Sequence, residues 1–247
     1  MSIELESETD IAKRLMAALQ QDEFVLYFQD IVPLVAQSDD RPFQEIYVRF
    51  KEEDAKLLPP GTFFPLLEEC HMLPSLDRWV VNRLGRWVRS ALKLKPDWKV
   101  PHCNVNLSDE TLADQEFADY VLKHFDSSFL ASGVLGFDVS CASAIANREL
   151  LLDLIVDLRP FGCQFTLAGF DGNEATLTKL EAFEPDFIKI SATAIDPTAV
   201  IEVNRMCHDR GAKTIAEHVE NSAVLEELRR CQIDFGQGYG ISPVEAL

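Results

Sequence analysis

From residue 102 onward, short apolar runs alternate with helix-like segments, and this alternation restricts the possible folds more than any other feature of the chain. The runs are His102–Leu107, Val134–Val139, Cys163–Ala168, Asp186–Ile190, Lys213–Ala216 and Ile233–Phe235. Between them lie Asp109–Phe125, Arg148–Leu158, Glu174–Phe183, Thr198–Arg210 and Ser222–Arg230. Repeated strand-then-helix units require parallel strands covered by helices. Two earlier strand-like runs, Phe24–Phe28 and Phe43–Phe50, have no helix between them, only a connection that includes the polar AQSDDRP, so they read as an antiparallel hairpin. Ile11, Leu15, Met16 and Leu19 at helical spacing predict a leading helix with Ser7 and Thr9 as candidate caps. Helical patterns around Phe63–Met72 and Leu76–Leu94 follow the break at Pro59–Pro60–Gly61. The eight strands in all predict an α/β fold, a (β/α)8 TIM-like barrel with an irregular antiparallel first strand. A doubly wound open sheet is the competing architecture, and no Gly-rich phosphate loop supports it.

A chain of 247 residues with 47% hydrophobic content buries a large core, and no linker-like tract divides it. The reading is therefore one barrel domain over residues 22–247, with residues 1–21 as a helical extension packed on it. The formal charge of -18 argues against sequence-independent nucleic-acid binding, which needs cations to neutralise phosphates. It argues equally against docking on an anionic membrane. The acidic start MSIELESETD is no signal peptide, and no apolar run approaches the ~20 residues that span a bilayer. Cys70, Cys103, Cys141, Cys163, Cys207 and Cys231 contain no C-x-x-C pair and read as reduced, buried thiols. A cytoplasmic location follows from these features.

In a barrel, chemistry gathers at the C-terminal ends of the strands. Asn106, Asp138, Lys189 and Glu217 sit at such ends, whereas the run FTLAGFD closes in Ala168 and Gly169. Alternation puts Asn104 and Asn106 on one face of their strand. A charge ending an apolar strand is costly to desolvate without a partner, so a structural Lys189–Glu217 ion pair stands beside the functional reading. His71, His102, His124, His208 and His218 have no zinc-site spacing, and Trp79, Trp87 and Trp98 fall in helical patterns that pack a core.

Taken in order, LYFQDIVPL, QEIYVRF, LDRWVV, CNVNLS, FDVSCAS, DFIKIS, AEHVEN and FGQGYGISP resemble the EAL family, from about Asp22 to Pro243. That resemblance implies a bacterial signalling barrel of the type that hydrolyses cyclic di-GMP with two divalent metals, a family that also includes inactive receptors and adaptors. It places Glu45, Asn106 and Glu217 at metal-linked positions and Lys189 at the catalytic lysine. Glu220 and Gln237 match as well. Asp138 stands for a metal-binding Glu, shortening the reach by ~1.5 Å. Cys141 replaces a Glu that steadies the catalytic loop, and Ala168 and Gly169 replace the paired aspartates. The loop DGNEATL also departs from the family's pattern, with Asp171 the one candidate to stand in for a lost aspartate.

Two-metal hydrolysis needs cations ~3.5–4 Å apart, with carboxylates to offset their repulsion. Hard cations take oxygen ligands, and Ala168 and Gly169 offer no side-chain oxygen. The expectation is therefore a degenerate, catalytically inactive member, with no Mg2+/Mn2+ two-metal site and Glu45, Asn106, Asp138, Lys189 and Glu217 as vestiges. The nucleotide-binding set implied by the resemblance is Gln29, Tyr47, Val48, Arg49, Pro65, Asp77, Lys189, Glu217 and Gln237. Arg49 offers a planar fork for phosphate, and Asp77 an acceptor for a guanine edge. The unneutralised Glu45, Asp138 and Glu217 would oppose a dianionic ligand. The leading expectation is a cyclic di-GMP receptor that signals to a protein effector. A nucleotide-independent interaction protein ranks second and an active phosphodiesterase third. A homodimer is compatible with the resemblance, although no interface signature is legible.

Overall fold

The computed structural model describes residues 8–37, 41–51, 57–58, 60–125, 130, 132–191 and 197–247. The first long strands, β1 (Phe24–Pro33) and β2 (Phe43–Lys51), pair antiparallel in the register Phe24↔Phe50, Gln29↔Glu45 and Ile31↔Phe43. A two-residue strand, β3 (Leu57–Leu58), pairs antiparallel with the end of β2. Parallel strands then follow in order: β4 (His102–Asn106), β5 (Leu135–Ser140), β6 (Gln164–Phe170), β7 (Phe187–Ser191), β8 (Lys213–Glu217) and β9 (Phe235–Gly236). Val32↔Gly236 and Pro33↔Phe235 pair β1 with β9 antiparallel and close the ring. The closed barrel has the eight strands β1, β2 and β4–β9, as the alternation predicts. A last short strand, β10 (Glu245–Ala246), pairs with Tyr27 and Phe28 of β1 outside the ring.

The leading helix α1 (Glu8–Gln20) buries Leu15, Ala18 and Leu19 in the main core. Of its two candidate caps, Ser7 lies outside the described residues and Thr9 falls inside the helix rather than before it. Pro59 of the predicted break also lies outside the described residues. Helix α2 begins earlier than predicted, at Pro60 (Pro60–Glu69), because a proline is tolerated where the first-turn N–H groups have no partner. Helix α3 (Leu73–Leu94) turns Leu73, Leu76, Asp77, Val80, Val81, Leu84 and Val88 inward, one apolar stripe interrupted by a single acid.

The predicted helix over Asp109–Phe125 is two helices, α4 (Asp109–Leu112) and α5 (Phe117–His124). Asp114 explains the break: its carboxylate accepts from Glu116 N at 3.1 Å and holds Arg78 by both Nε and Nη2, so it competes with the helix ladder. A helix absent from the sequence reading, α6 (Cys141–Ala146), follows β5 directly, capped by Ser140 Oγ accepting from Ser143 N. The outer layer continues with α7 (Arg148–Leu158), α8 (Glu174–Leu180), α9 (Pro197–His208) and α10 (Ser222–Arg230). Trp98 is a further correction: it lies beyond α3 and packs edge-on against Trp87, ring centroids 5.1 Å apart. All six cysteines are reduced thiols, buried as expected except Cys70, which is half-buried. Among the described residues, no helix is long and apolar enough to cross a membrane.

Inside the ring, the two ends differ. Ile31, Phe43, Phe187, Ile215 and Phe235 form a small separate core at the end where the parallel strands begin. The rings of Phe43, Phe187 and Phe235 stand 5.0–5.9 Å from one another, within the range of favourable aromatic packing. A cavity of about 410 Å³ bordered by His102, Gln164 and Lys213 lies against these rings, whereas Glu45, Asp138 and Lys189 meet toward the other end.

Candidate functional site at the strand ends

Pairing of Gln29 with Glu45 and alternation along β2 turn Glu45, Tyr47 and Arg49 to the same side, one above the next. Lys189 of β7 reaches across to this side. Its Nζ lies 2.5 Å from Glu45 Oε2 and 2.6 Å from Asp138 Oδ2, with Lys189, Glu45 and Asp138 all buried. The alternative Lys189–Glu217 pair is thereby corrected, since the partners of Lys189 are Glu45 and Asp138. Glu217 stands half-buried at the end of β8.

Neutral donors complete the cluster. Asn106 Nδ2 donates to Glu45 Oε1 at 2.9 Å, and Gln237 Nε2 donates to Glu45 Oε2 at 2.8 Å and to the Tyr47 hydroxyl at 3.0 Å. Asn104 is fully buried and donates to Thr166 Oγ1 at 3.0 Å and to Asp138 Oδ2 at 3.4 Å, a bracing role that the sequence reading did not assign. Burial pushes the Glu45 carboxyl up, but the Lys189 ammonium and the Asn106 and Gln237 donors more than offset it, and the net direction is down. Burial also dominates at Asp138, where repulsion from Glu45 and Glu217 adds to it. Despite Lys189, this carboxyl is pushed up to about 7. Burial pulls the Lys189 ammonium down, and Asp138 and Glu45 together carry it above its ordinary value.

The end of β6 is irregular as well as bare. Ala168 pairs with Ser140, but the register to β7 shifts between Leu167 and Phe170. Gly169 adopts φ +70, a left-handed conformation that side chains rarely take, and a Cβ built there would meet nothing within 4 Å. Asp171 is engaged elsewhere: its Oδ1 accepts from Asn173 N and its Oδ2 from Thr176 Oγ1, both at 2.9 Å, in the turn that leads into α8. Cys141 is buried, its thiol pushed up to about 12 by desolvation. Among the described residues, no three His, Cys, Asp or Glu side chains converge as a metal-holding group. The donor set is therefore a poor fit to the pair of hard cations that the resemblance implies: the Glu45 and Asp138 carboxylates are tied to an ammonium, and β6 contributes no side-chain oxygen.

Beside the cluster, a cavity of about 320 Å³ opens between β2, β4, α2 and α3, walled by Tyr47, Val48, Phe64, Asp77, Asn106 and Ser108. Asp77 is buried, and among the described residues its hydrogen bonds fall on Oδ2, from Ser108 N at 3.0 Å and from Ser108 Oγ and Thr111 Oγ1 at 2.7 Å. Burial raises its carboxyl above the ordinary range, against the pull of those donors. Arg49 donates to the Val48 carbonyl at 2.9 Å and lies 5.7 and 5.8 Å from the ring centroids of Tyr27 and Tyr47, with no carboxylate partner among the described residues. Two nominated residues sit apart. Pro65 is exposed on α2, and Pro60 and Phe64 take that wall instead. Gln29 is buried and donates to the Ser242 carbonyl at 2.9 Å, tying β1 to the C-terminal segment. Glu220 and His218 are exposed at the rim. Tyr27 and Ser108 were missed by sequence reasoning, although Ser108 ahead of Asp109 and Glu110 carried a helix-start signal.

The sequence profile of the EAL domain family matches residues 12–244. Cyclic di-GMP phosphodiesterase PdeB of Shewanella oneidensis is 28% identical over 245 residues, covering 96% of this chain and 28% of that protein. Cyclic di-GMP phosphodiesterase PdeA of Borreliella burgdorferi is 23% identical over 243 residues, covering 95% and 36%. The chain thus spans about a third of the length of the curated relatives it matches. Among solved structures, the Xanthomonas citri FimX EAL domain in complex with c-diGMP superposes with a TM-score of 0.86 at 19% identity, covering 97% of this chain and 95% of that one. The PaMucR phosphodiesterase c-di-GMP complex gives 0.79 at 24% identity, covering 96% and 97%. These likenesses establish the barrel.

Proposed function

The chain belongs to the EAL domain family, and from that premise we propose that it is a cyclic di-GMP receptor that signals to a protein partner without hydrolysing the nucleotide. The observation that carries this reading is the end of β6, where Ala168 and Gly169 offer no ligand while Lys189 holds the Glu45 and Asp138 carboxylates. The relatives include both named phosphodiesterases and a FimX EAL domain in complex with c-diGMP, so the site chemistry has to separate the two roles. Retention of nucleotide binding is supported by Arg49, a cation at the mouth suited to phosphate. It is also supported by Asp77 on the cavity wall, whose Oδ1 remains for the N–H edge of a guanine. The charge conflict expected from Glu45 and Asp138 is eased, because one ammonium sits between them. In the same reading, residues 1–21 are an extension and residues 22–247 the binding domain.

Calorimetry with cyclic di-GMP in the presence of EDTA tests the proposal, with an expected affinity on the order of micromolar, about -8 kcal/mol. Incubation with Mg2+ or Mn2+, followed by chromatography, is expected to yield no linear dinucleotide above a Glu45→Ala control. Turnover above that control would sink the receptor reading in favour of an enzyme. Absence of binding heat would leave a nucleotide-independent interaction protein.

A further inference from the structure

We propose that the cavity at the base of the barrel is a second ligand site, shaped for a small organic anion with a flat aromatic body. The inference goes beyond the receptor reading and does not depend on it. The cavity measures about 410 Å³, within the ordinary range for small-molecule sites. Much of its border comes from the first residues of strands: Phe43 of β2, His102 of β4, Gln164 of β6, Phe187 of β7, Lys213 of β8 and Phe235 of β9. It therefore lies at the opposite end of the strands from Asn106, Asp138 and Glu217.

Charge selects the head group. The chain carries 41 Asp and Glu against 23 Lys and Arg, yet the described residues around this cavity include Arg41 and Lys213 and no acid. His102 adds no charge at neutral pH: its Nδ1 donates to the Gly133 carbonyl at 2.7 Å, and burial lowers the imidazole to about 4. Lys213 Nζ donates to Gln37 Oε1 at 2.8 Å and lies 5.8 Å from the Phe235 ring centroid. Among the described residues no carboxylate pairs with it, so its charge is left for a visiting anion. The Gln164 side chain is half-buried at the border and has no hydrogen-bond partner among the described residues, which leaves its NH2 group to donate as well. Arg41 donates to the Ser132 carbonyl, and a Cβ built on Gly133 would lie 3.7 Å from Arg41 Nη1 and 3.8 Å from Gln164 Oε1, so the guanidinium and the amide flank one point. The rings select the body. His102 stands 4.6 Å from Phe43 and 5.9 Å from Phe187, centroid to centroid, and joins the three phenylalanines as an aromatic wall. A flat ring gains by packing on that wall, whereas a bare inorganic anion does not.

The test is NMR of 13C-phenylalanine-labelled protein, wild type and Lys213→Glu, titrated separately with benzoate, phenyl phosphate, inorganic phosphate and benzylamine. At least one of the two aromatic anions is expected to shift the Phe187 and Phe235 ring signals of wild type with a Kd of about 1 mM or tighter. The tighter of the two identifies the head group as carboxylate or phosphate. Lys213→Glu is expected to weaken that binding at least fivefold, and a smaller effect overturns the proposal. It is also overturned if neither aromatic anion moves those signals at about 10 mM, or if benzylamine or inorganic phosphate binds as tightly as the better aromatic anion. If Lys213→Glu does not fold, the wild-type titrations decide: shifts at Phe187 and Phe235 support the site, and binding that leaves both rings unmoved refutes it. Cyclic di-GMP is absent from every arm, so failure of the receptor reading shows only in the calorimetry and leaves these outcomes unaffected.

Discussion

Replacing Asp77 should uncouple α3 from the loop after β4, and the size of the effect can be worked out from its contacts. In Asp77→Ala, three donors lose their acceptor: Ser108 N, Ser108 Oγ and Thr111 Oγ1, at 3.0, 2.7 and 2.7 Å. Hydrogen bonds to a charged group contribute roughly 1.5–3 kcal/mol each. Part of that sum is already lost to burial, which raises the Asp77 carboxyl above its ordinary range. Ser108 Oγ and Thr111 Oγ1, 2.8 Å apart, can also pair with each other. A net loss of about 3 kcal/mol remains, equivalent to roughly 6–12 °C in Tm for a chain of this size. Asp77→Asn keeps the shape and one acceptor oxygen, so its loss should be about half as large. The sign of the pH dependence follows from the raised carboxyl. The folded state holds the Asp77 proton more tightly, so the advantage of Asp over Asn is full below the unfolded value of 3.8 and shrinks as pH rises through the folded one. Thermal melts of the three proteins across pH provide the measurement. An Asp77→Ala chain that melts within the error of wild type would refute the claim that this carboxylate joins α3 to the strand-end loop.

Arg49→Ala removes the mouth cation without touching an ion pair, so cyclic di-GMP affinity should fall at least tenfold by calorimetry while Tm stays within ~2 °C of wild type. Asp138→Asn should flatten part of the pH profile. The Asp138 carboxyl is pushed up to about 7 against an ordinary 3.8, so its contribution to wild-type stability is present at low pH and declines as pH rises from about 4 to about 7. Urea midpoints at both ends of that window should show the Asn variant gaining on wild type as pH rises. Gly136→Ala would put a Cβ 2.4 Å from Asn104 Oδ1 and 2.6 Å from His102 Nε2. The brace under Asp138 would have to shift, with a loss of about 1–3 kcal/mol in denaturant titration.

The barrel was legible because period-two and period-3.6 patterns alternate without a break after His102, and because the short connection between β1 and β2 allows only an antiparallel pairing. The split between α4 and α5 was not legible, because it depends on Asp114 bonding Arg78, a residue 36 positions away in sequence. At the site, reading the strand ends put Asn106, Asp138, Lys189 and Glu217 at one end of the barrel, and the resemblance added Glu45. That reading did not say which ends face each other across the ring, and so Glu217 was offered as the partner of Lys189 when Asp138 and Glu45 were nearer. Pro65 entered the set only through the resemblance; on α2 it faces outward, and Pro60 and Phe64 line the wall. The bulge at Ala168–Gly169 had a faint signal in the glycine itself, which alone tolerates φ +70 without strain.

The ring of Phe43, Phe187 and Phe235 has a mechanical consequence. Interlocked rings hold the strand bases firmly together, so the base of the barrel resists deformation more than its rim. The cavity beside Tyr47 and Asp77 is walled by α2 and α3 as well as by strands. A rearrangement on filling it would fall on those two helices and the rim loops, where a listening protein could read it.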